Sequence, residues 1–342
     1  MQTRRSWPAL SEHEMSAPHP LTFDQICHAA FGRLPDAIAK PGGDSRKTVI
    51  IRIGARPFAV SNRGSEGRAG LEALILRNLV GTGLVPRLVF AKGTYVVQEY
   101  IAGKRLSVVL DEATPNEART LLAQAARGLA VLQEAAVRKG IVGQVPKIGD
   151  HQGWLEDLMD MPSHLAKRFH LEVPALDRKA ILRHIQVDRF QFVKWDARPG
   201  NAIVTEQGKI VWIDWEHCGR RQAPDDLVWL LADEWAPDIA DIETELLSLF
   251  LGPHSVQEAS AEVGFTIMAT LHSFIRLDLI LSRKGDGPWW DHDTCRAADH
   301  IGVTKMHAQR VLSKAARWAS SNQTMSVLTP LLQQLSERVD EL

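Results

Sequence analysis

Apolar positions along the chain follow two regimes. From about Lys47 to Glu99 they form short β-branched runs separated by turn residues: "KTVIIRI", the turn "GARP", "PFAVSN", and later "RLVFAKGTYVVQEY" with Lys92 and Gly93 at its bend. Runs bounded in this way predict two hairpins. Between them, "SEGRAGLEALILRNLV" repeats Leu71, Leu74, Ile75 and Leu79 at helical spacing behind a capping Ser65, which predicts one helix. After "EYIAGKRL" the period changes. "NEARTLLAQAARGLAVLQEAA" is a long amphipathic helix, and the chain beyond Pro224 divides into helices at short Gly/Pro breaks. β character returns in "FVKWDARPGNAIVTEQGKIVWIDWEHC", Phe192 to Cys218. The pattern predicts an N-terminal extension over 1–36, a β-rich lobe over 37–99, a hinge near Glu99 to Gly103, and a helical lobe over 100–342 carrying one hairpin.

Charge and cysteines narrow the partners. Lysine plus arginine (40) nearly cancel aspartate plus glutamate (41), which removes the electrostatic argument for nucleic acid or an anionic membrane. A small-molecule or protein partner is expected; oligomeric state is not legible. Cys27, Cys218 and Cys295 are far apart, odd in number and without CxxC spacing, so a reducing, cytoplasmic setting is expected rather than a disulfide framework or structural zinc. The N-terminus lacks an apolar signal core, and no run is expected to approach the roughly 18 apolar residues of a membrane span.

The hairpin concentrates the chemistry. "NAIV" and "KIVWID" are strand-like, and a two-residue turn at Gln207 and Gly208 would set Asn201 opposite Asp214. Opposed residues have Cβ atoms roughly 4.5–5.5 Å apart. An amide oxygen and a carboxylate at that separation can share one hard cation such as Mg²⁺. Asp196, five residues before Asn201 in a loop shaped by Pro199 and Gly200, is free to act as a base.

"DARPGN" followed by "IDWE" resembles the catalytic segments of small-molecule kinases of the aminoglycoside phosphotransferase and choline kinase type, related in fold to protein kinases. The resemblance runs loosely from about Ala37 onward. It implies an α+β, protein-kinase-like two-lobed fold and ATP- and Mg²⁺-dependent phosphorylation of a small-molecule hydroxyl. Asp196 would be the base, Asn201 and Asp214 the metal ligands, with Glu216 beside them. Glu72 would be the small-lobe helix glutamate, and the Gln98, Glu99, Tyr100 and Ile101 backbone would face adenine. Gly42 and Gly43 of "KPGGDSRKT" would let the backbone approach the phosphates.

Departures from that pattern leave alternatives open. Ser61 stands where the family has a phosphate-binding lysine; Arg63, on the same strand face, is the first substitute, with Arg52 and Lys47 behind it. Lys194 and Trp195 replace the segment where the family has a histidine two residues before the base. Arg198 could lay a cation against the γ-phosphate. The missing lysine keeps a pseudokinase-like binding module in view. A metal-dependent hydrolase is the other rival, from "WWDHDTCRAADH" with Asp291, His292, Asp293, Cys295, Asp299 and His300, although His292 and His300 are about two helical turns apart. Trp289 and Trp290 are placed to line an acceptor pocket.

Overall fold

The computed structural model describes residues 21–40, 47–149, 152–187, 189–251, 258–297 and 301–342. It opens with helix α1 (Phe23–Phe31), where Thr22 accepts from the Gln25 N–H and the Gln25 side chain accepts from the Thr22 N–H. This reciprocal cap satisfies two end donors. Ile26 and Cys27 of α1 are fully buried against Ile51, Phe58, Val60 and Val97. Part of the expected N-terminal extension is therefore built into the small lobe's core. Nine residues carry too few apolar repeats to reveal that docking.

Five antiparallel strands follow: β1 (Ala37–Ala39), β2 (Thr48–Ile53), β3 (Arg56–Asn62), β4 (Leu88–Lys92) and β5 (Tyr95–Glu99), in the order β1-β2-β3-β5-β4. Between β3 and β4, helix α2 (Glu66–Leu79) is capped by Ser65, which accepts from the Arg68 N–H. It packs on β4 and β5 through Ala69, Ile75, Leu76 and Leu79.

The larger lobe begins with β6 (Lys104–Arg105) and α3 (Leu106–Glu112), then α4 (Pro115–Arg138), α5 (Gln152–Arg168) and α6 (Arg178–Ile185). Strand β7 (Gln191–Val193) pairs with β10 (Gly219–Arg221), and between them β8 (Ala202–Val204) and β9 (Ile210–Trp212) form the hairpin. Helices α7 (Asp225–Leu231), α8 (Ile242–Leu247), α9 (Glu258–Lys284), α10 (His292–Ala297), α11 (Lys305–Ser320) and α12 (Thr329–Glu341) complete it. The hinge crosses the hairpin closely: a Cβ at Gly103 would lie 2.2 Å from the Val204 carbonyl oxygen, so only glycine fits.

Two expectations change. Ser260–Lys284 of α9 is long and apolar enough to cross a membrane, with mean hydropathy 1.4, yet 78% of that window is buried within the protein. Helices α5, α6, α7 and α11 surround it, and a helix enclosed on several faces is apolar all round. The hairpin is also slipped by one residue from the expected register. Ala202 pairs with Trp212 and Val204 with Ile210, which leaves a three-residue loop and places Ile213 opposite Asn201. Gly208 at φ +74° takes the left-handed position of that longer loop.

Candidate active site

Asp196 and Asn201 meet at the start of the hairpin. The Asn201 amide donates to Asp196 Oδ2 at 2.8 Å and to the Asp196 carbonyl at 2.9 Å. Its amide nitrogen is thus engaged, and the amide oxygen is the atom left for a cation. Trp195 and Asp196 both have positive φ, +52° and +46°. Non-glycine residues hold this conformation only where surroundings impose it. The restraint is Asp226 in the first turn of α7. Its carboxylate accepts from the backbone N–H groups of Lys194 at 2.9 Å and Trp195 at 2.8 Å, and from Gln133 Nε2 at 2.9 Å. Burial pushes the Asp226 carboxyl up to about 6 against these donors. Sequence reasoning missed both Asp226 and Gln133. An acidic residue in a first helical turn ordinarily reads as a partner for the helix dipole, and spacing does not show it reaching back across the chain.

Lys194 occupies the position of the expected histidine and does structural work. It is 1% exposed, and its ammonium donates to the Asp214 carbonyl at 2.8 Å and, at 3.5 Å, to that of Asp196. The same nitrogen lies 5.1 Å from the centroid of Trp215. Burial lowers the Lys194 pKa, against the pull of Asp196, Asp214 and Asp226. One cation therefore ties the loop bearing Asp196 to the turn bearing Asp214. Asp214 itself has φ +61°, so the strand alternation ends there. Its side chain is aimed by this turn rather than by the hairpin register.

Ser61 does not enter the site: its hydroxyl pairs with that of Thr48 across β2 and β3 at 2.8 Å. Arg63 does. Its Nε and Nη2 donate to both oxygens of Glu72 in a bidentate pair, the Nη2 contact being 2.7 Å. Its Nη1 donates to Asp214 Oδ1 at 2.9 Å and lies 3.5 Å from Glu216 Oε1. Arg63 is 6% exposed and Glu72 fully buried. Burial lowers the affinity of Arg63 for its proton, but Asp214, Glu72 and Glu216 outweigh it, so the guanidinium stays charged. Burial likewise pushes the Asp214 carboxyl up; Arg63, Lys194, His217 and Arg198 bring it below its ordinary value.

The oxygen set suits a hard cation. Asn201, Asp214 and Glu216 offer amide and carboxylate oxygens of the type Mg²⁺ takes. Glu216 Oε2 is buried without a hydrogen-bond partner and lies 3.7 Å from Arg68, a donor not foreseen from the sequence.

At the hinge, Glu99 is partly committed, its N–H donating to the Arg87 carbonyl and its carboxylate accepting from the Arg87 N–H, both at 3.0 Å. Tyr100 and Ile101 lie outside the strands, and no backbone hydrogen bond engages them among the described residues. Gln98 sits in β5 with a buried, unpartnered Oε1. Arg198 holds its Nε 3.5 Å from Asp196 Oδ1. Gly42 and Gly43 lie outside the described residues.

The rival 291–300 cluster does not converge on itself. Asp291 caps α10, accepting from the Thr294 N–H and hydroxyl at 2.8 Å each, and Asp293 pairs with Arg296 at 2.9 Å. Cys295 is buried and free; Asp299 and His300 lie outside the described residues. His292 Nε2 lies 3.2 Å from Asp111 Oδ1, while its Nδ1 is 3.7 Å from Asp293 Oδ1.

Two lobes joined at this hinge, with the paired loops in the cleft, define a kinase-like fold. Two solved structures with TM-scores above 0.5 share it. The GDP complex of wild-type aminoglycoside 2'-phosphotransferase-IIIa matches with a TM-score of 0.51 at 14% identity, covering 86% of this chain and 96% of that one. The AMP-bound spectinomycin phosphotransferase APH(9)-Ia matches at 0.52 and 10% identity, covering 76% and 90%. Choline kinase LicA from Streptococcus pneumoniae matches at 0.46 and 16% identity, covering 85% and 96%. The chain matches none of the curated proteins. The sequence model described as the phosphotransferase enzyme family matches residues 43–257, more than half the chain. The chain belongs to that family and is a small-molecule phosphotransferase.

Proposed function

We propose that the protein transfers the γ-phosphoryl group of ATP, in a Mg²⁺-dependent reaction, to a hydroxyl of a small molecule. The observation that carries this reading is Arg63. Two positions beyond the absent lysine, a guanidinium pairs with Glu72 and still reaches Asp214. The arrangement restores both a fixed positive charge and a link between the sheet and the metal-binding turn. Asp196 accepts the acceptor's proton, and its orientation is set by Asn201 and by the Asp226 clamp. Asn201, Asp214 and Glu216 would hold Mg²⁺, which when bound supplies charge neutralisation on the phosphates. Tyr100 and Ile101 carry the backbone groups for the adenine edge. The nucleotides in the solved relatives, AMP and GDP, support nucleotide use by the fold. Three free, buried cysteines fit a cytoplasmic setting.

One observation favours the binding-module alternative: Asp214 is already ion-paired by Arg63. ATP titration with and without Mg²⁺, followed by phosphate release with a panel of hydroxyl acceptors, separates the two. Mg²⁺-enhanced binding with turnover supports transfer. Binding of equal strength without Mg²⁺ and without turnover leaves the module, and no nucleotide binding at millimolar concentration sinks both.

A further inference from the structure

Away from the phosphotransfer cleft, Asp111 at the end of α3, His292 at the start of α10 and His307 in α11 each present one ligand atom, all within 4.8 Å of one another. They come from elements separated by up to 196 positions, so no sequence spacing announces them. His292 Nε2 lies 3.2 Å from Asp111 Oδ1. The His292 and His307 rings are nearly parallel, 13° apart, with centroids 5.5 Å apart.

His307 is the informative member. It is fully buried, and its Nε2 has no hydrogen-bond partner. Its other ring nitrogen, Nδ1, is held by Thr304 Oγ1 at 2.8 Å, and Trp235 packs on the ring with centroids 4.2 Å apart. An unmet buried nitrogen is costly, of order 1–3 kcal/mol. In the tautomer in which Nδ1–H donates to Thr304 Oγ1, His307 has the organisation of a metal-ligating histidine, one nitrogen anchored to a neighbouring group and the Nε2 lone pair left for an ion. Burial also keeps this imidazole neutral, as a ligand must be.

We propose that Asp111, His292 and His307 form a binding site for a divalent transition-metal ion of the zinc class, distinct from the Mg²⁺ oxygens of the cleft. Two imidazoles and one carboxylate are a zinc donor set, whereas Mg²⁺ prefers oxygen alone. Donor atoms of a tetrahedral zinc ion stand about 3.4 Å apart, given bonds near 2.0–2.1 Å. Asp111 Oδ1 and His292 Nε2 already stand 3.2 Å apart, and the partly exposed His292 side chain has room to adjust toward His307. Asp111 and His292 line a hollow of about 500 Å³ with Trp290, Arg296, Thr304 and Arg310. The remaining coordination position therefore opens to solvent and to a ligand.

The two guanidiniums there bear on the ion. Arg296 is shared among Asp293 at 2.9 Å, Glu112 at 3.7 Å and Asp111 at 3.8 Å, so Asp111 is its most distant partner. Arg310 donates to the Glu234 carbonyl at 3.1 Å. Both also act on Asp111, the leading charge partner of Arg310, and together they favour an anion as the ligand that completes the shell.

The test is titration of the metal-stripped full-length protein with Zn²⁺ by calorimetry and with Co²⁺ by visible absorption. The expected result is one ion per chain with the intense d–d bands of four-coordinate cobalt. His292→Ala, at a partly exposed position that should not endanger folding, and Asp111→Asn should each weaken Zn²⁺ by at least about 100-fold, since losing even an outer-shell partner costs 10–100-fold. Asp214→Asn should leave Zn²⁺ binding unchanged. The proposal is overturned by absence of stoichiometric binding, by unchanged affinity in His292→Ala, or by loss of the ion in Asp214→Asn.

Discussion

Arg63 grips both carboxylate oxygens of Glu72 and, through its remaining terminal nitrogen, the carboxylate of Asp214 at 2.9 Å. The residue just past the end of β3, a helix residue and a turn 151 positions away are thereby held by one planar group. A lysine's single ammonium could not make the same three contacts with fixed geometry.

Arg63→Ala should therefore destabilise the fold as well as the site. Removing one partner of a buried pair typically costs about 3–5 kcal/mol because the other charge is stranded. Glu72 moderates this cost, since burial already raises its pKa and it can take up a proton. Denaturant unfolding measures the loss, and ATP affinity should fall much more than adenosine affinity. Arg63→Lys should recover only part of either, and Ser61→Lys in the Arg63→Ala background part of the ATP binding. Equal losses for both nucleosides would remove Arg63 from phosphate binding.

Asp196→Asn should leave nucleotide affinity near that of the parent and lower phosphoryl transfer by roughly 10²–10⁴-fold, the usual contribution of a general base. Steady-state turnover beside calorimetric ATP binding provides the comparison. Unaltered turnover would strip Asp196 of its assigned role.

The Asp214 carboxyl is held below its ordinary 3.8, so its ion-pair contribution has a definite pH window. A depressed carboxyl stabilises the folded state above the unfolded pKa, and that contribution is lost as pH falls through the folded value. The stability gap between parent and Asp214→Asn should be constant above roughly pH 5 and close progressively below 3.8. Thermal unfolding across that range tests it. A gap that instead widens toward acid would contradict the Arg63 pairing. At neutral pH the same variant should lose the Mg²⁺ effect on ATP binding.

Lys194→Met keeps an unbranched side chain of similar length but removes the donor to the Asp214 and Asp196 carbonyls. Hydrogen bonds to a charged group contribute about 1.5–3 kcal/mol. Stability should drop by about that amount, and kcat should fall more than ATP affinity, because the two loops lose their tie. A variant with parental kcat would show that the turn of Asp214 holds itself.

The amino-acid sequence by itself determined the kinds of elements and singled out the candidate reactive groups. Short β-branched runs bounded by turn residues mark the small sheet, helical spacing marks α2 and α4, and "DARPGN" with "IDWE" marks the two loops of the cleft. These signals are local: strand pleat, helical repeat and turn chemistry act over a few residues. The tertiary structure decided what depends on contacts between distant positions. It placed Arg63 against Glu72 and Asp214, and set the hairpin one residue away from the two-residue turn. It seated Asp226 beneath the positive-φ residues Trp195 and Asp196, and brought His292 together with Asp111 and His307. Each outcome is a choice among near-equivalent local options, made by burial and by the cost of an unpaired polar group inside the fold, and neither quantity exists until the chain has closed on itself.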